Sequence, residues 1–247
     1  MNEFRNQRFD QQQQQQPWPP AGGWGSMQAT TAAEASVAER MSFIRKVYAL
    51  FFAASLFAIG GVALGLTTPA VLNFAFGHPW IMLFMMIGGV FAAQAVRHVR
   101  GLNLVALFGF TTLTGVMISP LMHIVSGSNP NSIWAAGVLT VGIFGGLTAY
   151  AFVSKRDFSF MRGMLMVGLV VVVLASLLNI FLTISAFSFA ISAAALVLFS
   201  GFVLYDTSNI IRHYPVNEYI AGALSLYLDA FNIFLALINI LNAGDRD

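Results

Sequence analysis

Seven apolar runs separated by short connectors constrain this 247-residue chain more than any other feature. Each run has roughly 17 to 24 residues, the length that an α-helix needs to cross the hydrocarbon core of a bilayer. Across the chain, 57% of the residues are hydrophobic and 9% are charged, whereas soluble domains have about 25% charged residues. The sequence therefore predicts an all-α membrane protein with seven transmembrane helices, at residues 43–66, 80–96, 102–125, 133–153, 163–184, 187–209 and 219–241.

The residues before the first apolar run have a different composition. Six consecutive glutamines at 11–16 precede the segment PWPPAGGWG, and such a composition offers too little apolar surface to offset the entropy of ordering. We predict a disordered cytoplasmic tail at 1–42, a transmembrane domain at 43–241 and a short C-terminal tail at 242–247. Alternatively, residues 29–40 extend the first helix into the cytoplasm. Because the fifth and sixth runs are nearly continuous, a tight turn is predicted at Ser185 and Ala186.

The charges of the connectors predict an orientation. Arginine and lysine precede the first helix and occupy the connectors after the second, fourth and sixth, whereas the connectors 67–79 and 126–132 and the turn near 185 contain neither. By the positive-inside rule, the N-terminus is cytoplasmic and, with seven spans, the C-terminus is outside. A final helix that re-enters, leaving both termini inside, is the alternative. Short connectors and the absence of cysteine suit a bacterial inner membrane, or an organelle membrane in a eukaryote.

The last apolar run carries an acid, Asp229, near its middle. A carboxylate at the centre of a spanning helix costs roughly 2.5 to 3.5 kcal/mol, so its surroundings are expected to be protein or water rather than lipid. We therefore predict that the last helix is central and enclosed by the other six. At helical spacing, Asp229 shares a stripe with small and polar residues, namely Gly222, Ser225, Asn232, Ala236 and Asn239.

A second acid, Asp206, lies within the sixth run. At 1.5 Å per residue, Asp206 is roughly 9 Å and Asp229 roughly 16 Å from the same end of the membrane. Two carboxylates sharing a poorly hydrated site hold one proton between them, which makes such a pair sensitive to pH. The alternative is that each acid is paired separately: Asp229 with Asn232 or a tyrosine, and Asp206 with Thr207 or Arg212.

Other candidate residues are weaker. Arg97 could reach inward from the second run to a carboxylate or extend outward to the headgroups. Asn179 could form an interhelical hydrogen bond, and the glycines at 61, 65, 142, 145 and 146 could allow close helix packing. No P-loop, HExxH motif or nucleophile elbow is present in the sequence, so neither an enzyme nor a resident cofactor is expected.

Five segments of the sequence resemble the Bax inhibitor family, also called the transmembrane Bax-inhibitor-motif or YccA-like family, in its bacterial members. They are TGVMISP at 114–120, SKRDFS at 154–159, LLNIFL around Asn179, FSGFVLYDTSNIIRHY through Asp206, and EYIAGALSLYLDAFNIFLALINIL through Asp229. The resemblance implies seven helices with the last one central. It also implies that Asp206 and Asp229 form a pH-sensitive latch on a calcium leak pathway and contact Ca²⁺ transiently. The family's latch arginine matches Arg97, with Arg100 as the alternative.

The leading hypothesis is therefore a multi-pass protein that acts as a pH-gated leak for cations, with Ca²⁺ suggested by the resemblance. A second hypothesis is a modulator of membrane proteostasis or stress responses that engages a membrane protease. A third is a proton-coupled exchanger of a small solute. The expected partners are the lipid bilayer, Ca²⁺ or protons, and a membrane protein; the net charge of +2 gives no indication of nucleic-acid binding.

Overall fold

A computed structural model describes residues 30–96, 98–99 and 101–243. This part of the chain is helical and contains no β-strand, apart from an isolated bridge between Thr31 and Pro215. The helices are α1 (Val37–Thr67), α2 (Pro69–Gly77), α3 (Pro79–Ala95), α4 (Leu102–Ser128), α5 (Pro130–Ser154), α6 (Arg162–Leu182, preceded by the 3₁₀ turn Ser159–Met161), α7 (Ser185–Arg212) and α8 (Tyr219–Leu241).

Six of these helices are long and apolar enough to cross a membrane individually, and α2 and α3 together make a seventh candidate. The all-α prediction is confirmed, with six to seven spans. The two short helices are bent by 94° relative to each other. Residues 67–79, predicted as a simple connector, therefore contain a helix. Pro69 and Pro79 each stand in the first turn of a helix, where proline loses no hydrogen bond, and His78 separates the two helices.

The first helix begins before the first apolar run. Ser36 and Glu39 form a capping box, in which the Glu39 N–H donates to Ser36 Oγ at 3.3 Å and the Ser36 N–H donates to Glu39 Oε2 at 3.1 Å, satisfying two backbone donors at the helix start. The predicted domain boundary at residue 42 thus falls inside α1. The predicted tail is described only from residue 30 onward, and its residues 1–29 lie outside the described part.

A short N-terminal strap, residues 30–35, lies on the connection between α7 and α8. The Ala32 N–H donates to the Tyr214 carbonyl at 2.9 Å, and the Val216 N–H donates to the Thr30 carbonyl at 3.2 Å. Ala32 is fully buried. The strap therefore links the beginning of the chain to the end of the bundle at which α7 turns into α8.

The turn between α6 and α7 differs from its predicted position. Thr183 adopts a left-handed conformation with φ of 50°, Ile184 is extended, and α7 begins at Ser185. The turn therefore lies at residues 183–184, and Ser185 and Ala186, predicted as the turn, are helical. The Asn179 amide spans this turn and donates to Ser188 Oγ at 2.6 Å, because the left-handed residue reverses the chain sharply enough to bring the two helix ends together.

Glycines hold α1 and α4 together at close range. A Cβ atom at Gly115 would overlap the Ala58 carbonyl oxygen, and one at Gly61 would overlap the Thr112 carbonyl oxygen. The predicted packing role of Gly61 and Gly65 is confirmed, since a Cβ atom at Gly65 would overlap the Ser119 hydroxyl. The same prediction is wrong for the glycines at 142, 145 and 146, where an added Cβ atom would meet no atom within 4 Å. Close approach of backbones strengthens the van der Waals contacts on which helix association in a bilayer depends.

The last helix, α8, packs against α1, α4, α5 and α7. Its buried residues include large apolar side chains, of which Leu226, Ile233 and Ile238 are fully buried. Gly222, Asp229 and Ala236 of the predicted stripe are also buried, whereas its other three members are partly buried. Half of its most apolar segment is buried, compared with 6% for α6. Protein therefore covers more than the predicted stripe of α8, whereas enclosure by all six other helices stays a prediction.

Candidate functional site

The two intramembrane acids predicted to pair are in contact. Asp229 lies in the middle of α8 with 4% of its surface exposed, and Asp206 lies near the end of α7. Their carboxyl groups are within hydrogen-bonding range of each other, and Asp206 is also within range of the Ser225 hydroxyl. A hydrogen bond between two carboxyl groups requires a proton on one of them. The arrangement can therefore hold one shared proton.

The antiparallel course of α7 and α8 explains this contact. Asp206 lies six residues before Arg212, where α7 ends, and Ser225 lies six residues after Tyr219, where α8 begins. Both are therefore about 9 Å from the helix ends, which places them at the same level. Asp229 is one helical turn deeper on the face of Ser225. The contact thus follows from the lengths of the two helices and from the short connection between them.

One oxygen of the pair lacks a hydrogen-bond partner. Asp229 Oδ2 is buried and receives no hydrogen bond. A buried acceptor that is left unpaired costs about 1–3 kcal/mol, more when it is charged. This oxygen is therefore available to a proton, a water molecule or a cation.

A polar cavity of about 530 Å³ lies beside the acids, at the end of the bundle where α7 turns into α8. Tyr205 and Asn209, which flank Asp206 along α7, line it together with Tyr214, and Gln94, Ser159, Arg162, His213, Pro215, Glu218 and Ala221 complete its wall. The acids are therefore close to a space large enough for several water molecules.

Tyr214 connects this cavity to the acids. It lines the cavity, and its hydroxyl is within hydrogen-bonding range of Ser225, which in turn contacts Asp206. Burial raises the pKa of Tyr214 to about 12, and the neighbouring Asp206 charge adds to the increase, so the phenol is neutral at physiological pH. The sequence analysis missed this residue. Its only signal is that it lies two residues beyond the end of α7, in the short connection that leads to α8.

The other predicted site residues do not join this group. Asn232 donates to the Leu228 carbonyl of its own helix at 2.7 Å, so it does not pair with Asp229, and Asn179 spans the α6–α7 turn at the other end of α7. Asn239 is partly buried, two to three turns beyond Asp229. Arg97 and its alternative Arg100 lie outside the described residues. Of the four predicted supporting residues, Ser225 alone is placed at the acids.

The predicted calcium contact at Asp206 and Asp229 has only two carboxylates. Within residues 30–96, 98–99 and 101–243, no group of three or more His, Cys, Asp or Glu side chains could hold a metal ion. Calcium prefers six to eight oxygen ligands. A Ca²⁺ ion at the pair would therefore need water or backbone carbonyls for most of its ligands, which fits a transient contact rather than a resident ion.

A third acid, Asp157, lies in the connection between α5 and α6. Its carboxylate accepts from the Ser159 N–H at 2.9 Å and contacts His213 Nε2 at 3.0 Å. Aspartate side chains commonly accept from the backbone N–H two residues later, and the turn at Ser159 presents that donor directly. The Ser159 N–H, followed by His213, lowers the pKa of Asp157.

We expect Asp157→Asn to lower stability at neutral pH and to have no effect in strong acid. A carboxylate whose pKa is lower in the folded state stabilises above its unfolded pKa, and this contribution disappears as the pH falls through the folded pKa. Because the side chain is 43% exposed, the loss is within about 1 kcal/mol. The measurement is the difference in Tm between parent and variant in detergent at pH 7 and pH 3. His213→Gln is the control and should reproduce only the smaller part of the difference; an equal loss at both pH values would contradict the prediction.

Comparison with known proteins adds the family. The family model described as "Inhibitor of apoptosis-promoting Bax1" matches residues 40–246. An uncharacterized protein of Campylobacter jejuni is 41% identical over 207 residues, covering 81% of this chain and 88% of the relative. An uncharacterized membrane protein of Vibrio cholerae is 37% identical over 186 residues, covering 74% and 79%. Protein lifeguard 4 of Mus musculus is 33% identical over 217 residues, covering 87% and 90%.

The family model spans the predicted membrane domain, including both aspartates, and the six to seven candidate spans agree with a multi-pass membrane protein. The chain therefore belongs to the Bax inhibitor family of multi-pass membrane proteins.

Proposed function

We propose that this protein is a pH-sensitive leak for cations, with Ca²⁺ as its ion and the Asp206–Asp229 pair as its gate. The observation that carries the proposal is the contact between the buried carboxyl group of Asp229 and the partly buried one of Asp206. Ser225 and Tyr214 connect this pair to a polar cavity. Both parts are needed. The carboxyl pair gains or loses the proton that sets the state of the gate, and the cavity lets water and ions reach the pair.

The gate works through repulsion between the carboxylates. While one proton is shared, a hydrogen bond holds α7 to α8 at the level of Asp206. When that proton leaves, two negative charges remain in contact in a poorly hydrated site, where they repel each other far more strongly than in water. The repulsion separates the two helices, and the freed oxygens attract a hard cation. Arg97, at the end of the second span, would stabilise the deprotonated pair in this scheme.

The finer topology belongs to the same proposal. A last helix enclosed by the six others would convert a small separation at Asp229 into a continuous opening. Loop charge supports a cytoplasmic N-terminus, which would place the polar cavity on the cytoplasmic side of a bacterial inner membrane. Cytoplasmic pH would then control the gate.

Calcium flux from proteoliposomes tests the gate. In the parent protein the flux should rise with pH across the titration of the pair, by at most about tenfold per pH unit for one proton. Asp206→Asn and Asp229→Asn should each flatten this dependence, because neither variant can lose a shared proton. Asp157→Asn is the matched control, since it removes a carboxylate outside the membrane, and should keep the parent profile. Unchanged pH dependence in both intramembrane variants would sink the proposal.

Two other functions give different results in related measurements. A proton-coupled exchanger of a small solute would drive solute uptake against an imposed pH gradient, whereas a leak would not. A modulator that engages a membrane protease is favoured by the strap at residues 30–35, which connects the N-terminal tail to the α7–α8 connection. Deleting residues 1–29 should then abolish crosslinking to the protease and change the lifetime of its substrates, while calcium flux in proteoliposomes stays unaltered.

A further inference from the structure

A second cavity, of about 490 Å³, lies at the same end of the bundle, between the strap and helices α1, α5 and α7. It is distinct from the polar cavity beside Asp206. Four cationic side chains line it: Arg40, Lys155, Arg156 and Arg212. Its lining contains no aspartate or glutamate. The cavity therefore concentrates positive charge in one place.

The cationic side of this cavity is held in place by hydrogen bonds between the α5–α6 connection and α7. The Phe158 N–H donates to Ser208 Oγ at 3.1 Å, and Ser208 Oγ donates to the Arg156 carbonyl at 3.4 Å. The Arg212 guanidinium donates to the Lys155 carbonyl. Three bonds thus fasten residues 155–158 to one face of α7, and Lys155 and Arg156 line the cavity as a result.

Neighbouring acids are occupied by other groups. Asp157 is bound by the Ser159 N–H and by His213, and Glu39 is bound by Ser36 in the cap of α1. Within the described part of the chain, none of the four cations forms an ion pair with a carboxylate. Their charge is therefore available to an anion from outside the protein.

The remaining wall of the cavity is mostly apolar and reaches the outer surface of the bundle. Met41 is 43% exposed and Phe152 is 38% exposed. Ile44, Ala151 and Ile211 also line the cavity. A free inorganic anion would use only the cationic wall. A ligand that carries both an anion and hydrocarbon would use the whole lining.

We propose that this cavity binds the headgroup phosphate of an anionic phospholipid, with the acyl chains lying against Met41 and Phe152. Arginine forks match phosphate oxygens in two parallel hydrogen bonds, and basic pockets between spanning helices bind anionic headgroups. The site lies at the end of the bundle where the connectors carry the arginines and lysines, which is the leaflet edge at which phosphates are found.

Lipid binding to the detergent-solubilised full chain tests this site. Native mass spectrometry should show that the parent retains phosphatidylglycerol about tenfold more strongly than phosphatidylcholine. Arg40→Gln and Arg156→Gln should each reduce that preference by about fivefold, which is the effect of one basic side chain near an anionic headgroup. Arg45→Gln is the matched control, because Arg45 is an exposed residue of the same helix that does not line the cavity; its preference should stay within about twofold of the parent.

Three results would overturn the proposal. First, the parent protein could bind phosphatidylglycerol and phosphatidylcholine equally, and this measurement needs no variant. Arg45→Gln could lower the preference as much as Arg40→Gln, which would assign it to general surface charge. Inorganic phosphate at the concentration of the lipid could displace phosphatidylglycerol, which would show that free phosphate occupies the cavity. Size-exclusion profiles and helical circular dichroism identical to the parent establish that each variant is folded.

Discussion

Gly115→Ala is expected to destabilise the protein by about 2–3 kcal/mol or more, although alanine favours a helix over glycine. The new Cβ atom would overlap the Ala58 carbonyl oxygen of α1, so the backbones of α1 and α4 must move apart at this crossing. Overpacking of this kind typically lowers the free energy of unfolding by about 1–3 kcal/mol, and by more where the backbone cannot move. The higher helix propensity of alanine relative to glycine stabilises the variant by about 1 kcal/mol and so opposes this loss. The observed sign will therefore show which effect dominates.

Gly109→Ala is the matched control for this prediction. Gly109 is an exposed residue of the same helix, and a Cβ atom there meets no atom within 4 Å. The control should be neutral or slightly stabilising, because only the helix preference acts. Unfolding of both variants in mixed micelles with increasing dodecyl sulfate gives the comparison. Equal stabilities would show that the α1–α4 contact is looser than the structure describes.

Leu226→Ala is expected to cost about 2 kcal/mol, a large effect for one side chain in a membrane protein. Leu226 is fully buried in α8. In a soluble protein such a truncation costs 2–5 kcal/mol through lost transfer energy and an unfilled cavity. In a bilayer the unfolded side chain stays in hydrocarbon, so only the packing part of that cost is expected. The effect therefore measures how tightly other helices surround α8.

Leu174→Ala provides the comparison for this packing effect. Leu174 is 60% exposed on α6, the least buried of the candidate spans. Its truncation removes the same atoms from a surface that faces lipid, and should change stability by less than about 0.5 kcal/mol. The same unfolding titration applies. If Leu226→Ala resembled Leu174→Ala, α8 would not be a packed helix within the bundle.

Many features of this protein can be predicted from its sequence because the free energy of placing a span in the membrane is a sum of contributions from its individual residues. Every residue of a span contributes its own transfer free energy, so the spans, the anomalous position of Asp229 and the short list of intramembrane acids follow from composition along the chain. The pairing of Asp206 with Asp229 also follows, because two antiparallel neighbouring helices with a short connection bring residues of similar depth together.

Other features depend on tertiary contacts. Whether Asn232 points to Asp229 or back to its own helix, and whether Asp157 pairs with Arg156 or with the Ser159 N–H and His213, depends on rotations and loop paths that contribute almost nothing to hydropathy. Tyr214 is connected to the acids only because the α7–α8 turn folds back over Ser225.

The sequence by itself therefore determined the class of the fold and the depth of the acids, since each is a property of a residue and its position along one helix. The tertiary structure alone decided the 94° bend between α2 and α3, the left-handed turn at Thr183, the connection from cavity to carboxyl pair and the cationic cavity beside α1. Each of these arises where side chains from distant segments compete for the same space and the same hydrogen bonds, and the outcome of that competition is not a sum over residues.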